Sequence, residues 1–148
     1  MLVVDDADNQ ARVIAIGLRL EGLEVETASD AETALAVLAS RPFEVAIVDL
    51  MMPGINGIQL ARLIRERHPG TRVVLTSAYH LSERQLVRAD CGAVAFVPKP
   101  FDVLELARFL RSKLSDAPPP AASDTRAAGT DAPGIARLRT VAGAAPPR

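Results

Sequence analysis

Four polar marks in this chain each follow a short apolar run, and together they could handle a divalent cation and a phosphoryl group. Asp5-Asp6 follow Leu2 to Val4, Asp49 follows Val45 to Val48, Thr76-Ser77 follow Val73 to Leu75, and Lys99 comes after the run from Ala93 to Val97. Carboxylates gathered in one place repel one another unless a cation sits among them. Mg²⁺ suits such a cluster, because it favours a few carboxylates completed by water and phosphate oxygens. An ammonium and a hydroxyl around one carboxylate supply the positioning and charge stabilisation that phosphoryl transfer needs. Asp49, at the end of the most central-looking run, is then the candidate nucleophile, carrying the group as an aspartyl phosphate.

Singly, each mark has an ordinary explanation. Asp5 or Asp6 can cap a helix, Asp49 can cap a loop, Thr76-Ser77 can form a turn, and Lys99 can be a solvated strand end. Their common placement is what carries weight. Short apolar runs alternating with helical patterns read as parallel strands buried on both faces. The residues after such strands gather in the crevice at the carboxyl edge of the sheet, where α/β proteins bind and react.

The elements that would hold them there are legible. A first helix follows Asp8, with Ala11, Ile14, Ala15 and Leu18 on one stripe, and Gly22 closes it. A second strand lies around Val25 and Thr27, and Ser29 with Glu32 predicts a capping box before the stripe Ala31, Ala34, Leu35, Leu38. Pro53-Gly54 and Asn56-Gly57 mark a loop, and Leu60, Leu63 and Ile64 begin a third helix that ends near His68-Pro69-Gly70. A strand at Val73 to Thr76, a helix from about Ser82 to Ala89 and a strand at Ala93 to Val97 follow. The last helix is capped by Asp102 and Glu105, with Val103, Leu106, Ala107, Leu110 and Leu114 on its core face. Five βα units of this length predict a doubly wound α/β sheet rather than a barrel.

Composition sets the outer limits. The chain has 148 residues, 49% hydrophobic and 24% charged, with a net charge of -1, which suffices for one core and lacks the basic excess of a nucleic-acid binder. Cys91, the single cysteine, beside Gly92, reads as a small buried residue. Neither a membrane-length apolar run nor a signal peptide is present, and the expected location is cytoplasmic. The folded domain is expected over residues 1–114. Residues 115–148, rich in Ala and Pro, are expected to be a disordered tail, within which Ile135 to Val141 reads first as a bland linker remainder and only second as a transient helix or docking segment.

With these residues in place, the chain resembles the receiver domain of bacterial two-component response regulators. The matching segments are Leu2-Val3-Val4-Asp5-Asp6, Val48-Asp49-Leu50-Met51-Met52-Pro53 with Gly57, Leu75-Thr76-Ser77-Ala78, and Phe96-Val97-Pro98-Lys99-Pro100-Phe101. The resemblance implies a flavodoxin-like (βα)5 fold with strand order 2-1-3-4-5. It implies that Asp5 and Asp6 hold Mg²⁺ together with Asp49, the phosphoacceptor, and the backbone carbonyl of Met51. Ser77 is implied as the switch hydroxyl, with Thr76 its rival, Lys99 as the phosphate-contacting lysine, and Phe96 as an aromatic switch residue whose ring moves inward. The Lys99-Pro100 bond is implied to be cis. The implied donor is a histidine kinase or histidine phosphotransfer protein. The output is expected through the face made by the fourth helix, fifth strand and fifth helix, toward a protein partner or a second copy of the chain. Arg84, Arg88, Arg108 and Arg111 are candidate rim contacts there, and direct DNA binding is not expected.

Three other readings compete with this one. A receiver-like module could act as an interaction domain without phosphorylation, against which the complete acidic pair, Asp49, Ser77 and Lys99 all argue. A phosphatase of the haloacid dehalogenase type would take Asp6-Ala7-Asp8 as its motif, with Asp6 the nucleophile and Asp8 the general acid, but Gln10 and the absence of an acidic pair after the fourth strand depart from that pattern. A flavodoxin-like cofactor binder would need a small-residue phosphate nest in the first loop, which is acidic here.

Overall fold

The computed structural model describes residues 1–116 and 136–137. Their order is β1 (Leu2–Val4), α1 (Asp8–Leu20), β2 (Glu26–Ala28), α2 (Ala31–Ser40), β3 (Val45–Asp49), α3 (Gly57–Arg67), β4 (Arg72–Ser77), α4 (Glu83–Ala89), β5 (Ala95–Pro98), α5 (Val103–Asp116) and β6 (Ala136–Arg137). The strands lie in the order β2-β1-β3-β4-β5-β6, every neighbouring pair parallel. The first five have the order the family resemblance implied.

Period-two alternation divides the core into two layers. Val3, Val45, Ile47, Val74, Ala95 and Val97 pack with Ala11, Ile14 and Leu18 of α1 and Leu106, Ala107 and Leu110 of α5. Leu2, Val4, Ala46, Val48, Leu75 and Phe96 pack on the other face with α2, α3 and Leu86 of α4. Between Arg72 at the start of β4 and the polar residues at the carboxyl ends, β3 and β4 are apolar at successive positions because helices cover both sides. Each strand is thereby fixed against slippage, since a shift of one residue would exchange its two faces.

Most helix limits follow from local chemistry. Ser82 and Gln85 form a reciprocal capping box on α4, and Asp102 accepts the Glu105 N–H at 3.0 Å at the start of α5. Gly22, at φ +84°, turns the chain after α1. Two expectations are corrected. The cap of α2 is Asp30, which accepts the Thr33 N–H, rather than Ser29: the chain leaves β2 one residue later than expected, so the helix begins at Ala31. Asn56-Gly57 is not a plain loop: Asn56 caps α3 in a box with Gln59, and Gly57 is its first helical residue. Cys91 is buried, as expected.

α5 continues through Asp116, and Ala136–Arg137 forms a sixth strand. The remainder of the tail expected to be disordered, residues 117–135 and 138–148, lies outside the described residues.

Candidate functional site

The carboxyl ends of β1, β3, β4 and β5 deliver the four polar marks to one edge, as their order in the sheet requires. Asp5, Asp6 and Asp49 each offer a carboxylate oxygen, and these oxygens lie within 4.8 Å of one another. Asp5 and Asp49 are buried, whereas Asp6 is exposed. Asp5 is held twice: one oxygen accepts the Ala7 N–H at 2.9 Å and the other accepts the Lys99 ammonium at 3.1 Å. The same ammonium stands 3.6 Å from an Asp49 oxygen, so one cation bridges both buried carboxylates. Lys99-Pro100 is cis.

Burial pushes the Asp49 carboxyl above the ordinary carboxylate range. The Lys99 charge and the Met51 N–H, 3.4 Å from an Asp49 oxygen, pull it down, while Asp5 and Asp6 push it up. One ammonium therefore leaves the ionised trio undercompensated. The donor set consists of hard oxygens grouped at an open edge, the chemistry that suits a hard divalent cation completed by water and phosphate.

At the end of β4, Thr76 stands beside Asp49 in register and Ser77 beside Pro98. Both are buried. The Ser77 hydroxyl oxygen accepts the Tyr79 N–H at 3.0 Å, and the Ser77 carbonyl accepts the Lys99 N–H at 2.8 Å. Met51 is half exposed beside the cluster. Phe96, expected to move inward, is already inside: alternation along β5 directs it into the layer of Leu75 and Leu86, and 2% of its surface is exposed.

One contact escaped sequence reasoning. The Gln10 side-chain oxygen accepts the Lys99 ammonium at 2.8 Å, so α1 helps to aim the lysine. Nothing in the sequence distinguishes Gln10 from any polar residue in a first helical turn. Beside it, a groove of about 520 Å³ opens between α1 and the start of α5, lined by Gln10, Val13, Lys99, Pro100, Phe101 and Val103. The alternative motif Asp6-Ala7-Asp8 is split: Asp6 points to the edge while Asp8 is the first residue of α1, and the ammonium contacts Asp5 and Asp49 instead. Among the described residues, no helix is long and apolar enough to cross a membrane.

Comparison with known proteins agrees with this geometry. Residues 1–111 match the response regulator receiver domain model. The response regulator ArlR of Staphylococcus epidermidis is 33% identical over 118 residues, covering 80% of this chain and 53% of that protein. The chain spans about half the length of such curated relatives. Among solved structures, the receiver domain of NtrX from Brucella abortus superposes with a TM-score of 0.70 at 33% identity, covering 78% of this chain and 98% of that one. The response regulator TrrA of Thermotoga maritima, solved in complex with Mg²⁺-BeF, gives 0.67 at 32% identity, covering 75% and 95%.

Proposed function

This chain belongs to the receiver-domain family of two-component response regulators, and we propose that it accepts a phosphoryl group on Asp49, with Mg²⁺ held by Asp5, Asp6, Asp49 and the Met51 carbonyl. The observation that carries the reading is the environment of Asp49: a buried carboxylate, raised in pKa, flanked by two further carboxylates and faced by the Lys99 ammonium at 3.6 Å. The TrrA complex, with Mg²⁺ and a beryllofluoride in a related receiver, supports the assignment of the metal.

In this reading an Asp49 oxygen attacks the phosphorus of a phosphohistidine on a kinase or phosphotransfer protein. The phosphorus–nitrogen bond breaks, and its electron pair leaves on the imidazole, which takes up a proton. When bound, Mg²⁺ neutralises the carboxylates and draws charge from the phosphoryl oxygens. Lys99, held by Asp5 and Gln10, stands beside Asp49 and donates to the new phosphoryl group, one charge-assisted contact taking the place of another. Ser77 is the hydroxyl assigned to the group because it lies at the extreme carboxyl end of β4 and its carbonyl fixes the Lys99 backbone. Thr76 is the second choice, favoured by its register with Asp49. The groove beside Lys99 gives the donor side chain its approach.

The chain is thus a self-phosphorylating switch rather than an enzyme with turnover on a substrate. Ser77 and Phe96 lie on adjacent strands, so a hydroxyl drawn to phosphate shifts β4 against β5 and alters the face of α4, β5 and α5. Since Phe96 is already buried, the change reads out through strand position rather than ring burial. A protein partner, or a second copy of the chain, reads that face. Incubation with Mg²⁺ and acetyl phosphate, followed by intact-mass measurement, tests the reading: wild type gains one phosphoryl mass and Asp49→Ala gains none. An equal gain in both, or no gain by wild type with Mg²⁺ present, overturns it.

A further inference from the structure

We infer that the outer edge of β5 is a strand-docking edge, and that the chain's own segment Ala136–Arg137 occupies it. β6 pairs in parallel with β5, Ala95 opposite Ala136 and Phe96 opposite Arg137, and without it β5 would end the sheet. An open edge presents unpaired N–H and C=O groups that template any extended segment reaching them. Between Ser115 and Arg148 only Ile135, Leu138 and Val141 are large apolar residues, and all three flank this segment. No proline interrupts residues 134–145, whereas prolines stand at 133 and at 146–147. A segment without proline can donate to a ladder, which the proline-rich stretches on either side do less well. Residues 117–135 tether the segment to α5, which makes the pairing intramolecular, and closure over such a length is a slowly growing entropic term.

The location gives the pairing a consequence. Phe96 is opposite Leu75 of β4 on one side and Arg137 of β6 on the other, and Ser77 is opposite Pro98 on the same strand. Movement of β5 against β4 therefore alters the ladder that holds β6. The segment pairs with the outer edge of β5, one of the three elements of the face assigned to output, so a partner that uses this edge must displace it, and by linkage a modification that loosens the segment favours the partner. This coupled half of the inference rests on the proposed phosphorylation of Asp49; the docking half does not.

The test uses the full chain and the double variant Ala136→Pro/Arg137→Pro, with amide hydrogen exchange read residue by residue. In wild type the β5 amides directed away from β4, among Ala95, Phe96 and Val97, are protected. In the variant they exchange about tenfold faster or more, while amides of β1 and β3 keep their protection. A synthetic peptide of residues 134–141 added to the variant restores it. Equal β5 exchange in the two proteins, loss spread through the whole sheet, or a peptide without effect overturns the docking edge. Wild type held phosphorylated by acetyl phosphate and Mg²⁺ exchanges the same amides faster. Unchanged exchange in a sample whose mass shows the phosphoryl group overturns the coupling, whereas a sample that gains no mass refutes the phosphoacceptor reading and leaves the edge to be judged on the unphosphorylated proteins.

Discussion

Replacing Gly57 by alanine sets two effects of opposite sign against each other. Gly57 is the first residue of α3, in a conformation open to any residue, and alanine is favoured over glycine within a helix by about 0.8–1 kcal/mol. On propensity alone Gly57→Ala should stabilise. A Cβ at this position, however, would lie 2.4 Å from the Asp49 carbonyl oxygen and 2.7 Å from Leu50 Cα. Both are backbone atoms, and the Gly57 N–H also donates to the Leu50 carbonyl at 3.0 Å, so neither side can swing away as a flexible side chain would. Relief requires α3 and the end of β3 to separate by several tenths of an ångström, and overpacking of this kind costs about 1–3 kcal/mol. With backbone on both sides the clash outweighs the propensity gain, and the net loss is up to about 2 kcal/mol, or up to roughly 8 °C in Tm for a domain of this size. Gly70→Ala is the control, because a Cβ there meets nothing within 4 Å. Its expected effect lies between zero and a gain of about 1 kcal/mol. Urea unfolding of wild type and both variants decides the matter. The backbone shift also moves Asp49, so acetyl phosphate should label Gly57→Ala more slowly than Gly70→Ala. Gly57→Ala at or above wild-type stability would refute the close-approach argument.

Asp49→Asn should stabilise the metal-free protein at neutral pH. Burial raises the folded-state pKa of Asp49, so the ionised form is the disfavoured one: the penalty is absent at pH values below the carboxylate range and grows as pH rises through the folded-state pKa. Thermal melts from pH 4 to 7 check this, and a variant no more stable than wild type at pH 7 contradicts it. Saturating Mg²⁺ should raise the Tm of wild type more than that of Asp49→Asn, since binding to the folded state at ten times Kd contributes about 1.4 kcal/mol. Lys99→Ala leaves the carboxylates of Asp5 and Asp49 without their shared cation and should cost about 1–3 kcal/mol without Mg²⁺, much of it recovered on adding the metal. A Lys99→Ala protein with wild-type stability in EDTA would mean that the ammonium does not compensate those charges.

The sheet was readable because its central strands are apolar on both faces and end abruptly in polar residues, a pattern with one structural meaning. Asp5, Asp49 and Lys99 continue the alternation of Val3, Ile47 and Val97, so the same periodicity that buries those residues brings the charges to one side of the edge. What escaped the sequence depends on contacts between distant segments. Ser29 and Asp30 are equally good caps in isolation, and the exit of the chain from β2 selects Asp30. Asn56-Gly57 carries a turn signal, which is overridden because Gly57 must pass against the backbone of Asp49 and Leu50. Gln10 reaches Lys99 only because the connection from β5 to α5 returns beside α1, 89 residues along the chain. The pairing of Ala136–Arg137 with β5 was hidden for the same reason, since two residues within an Ala/Pro-rich stretch have no periodicity of their own.

Which aspartate takes the phosphoryl group is decided by position-specific chemistry. The phosphorylated full chain is reduced with borohydride, which converts an aspartyl phosphate to homoserine, and its peptides are sequenced by mass spectrometry. Homoserine at position 49 alone, formed only when Mg²⁺ was present during phosphorylation, is the predicted result. Homoserine at position 5, 6 or 8, or labelling at position 49 that is indifferent to Mg²⁺, would contradict the account.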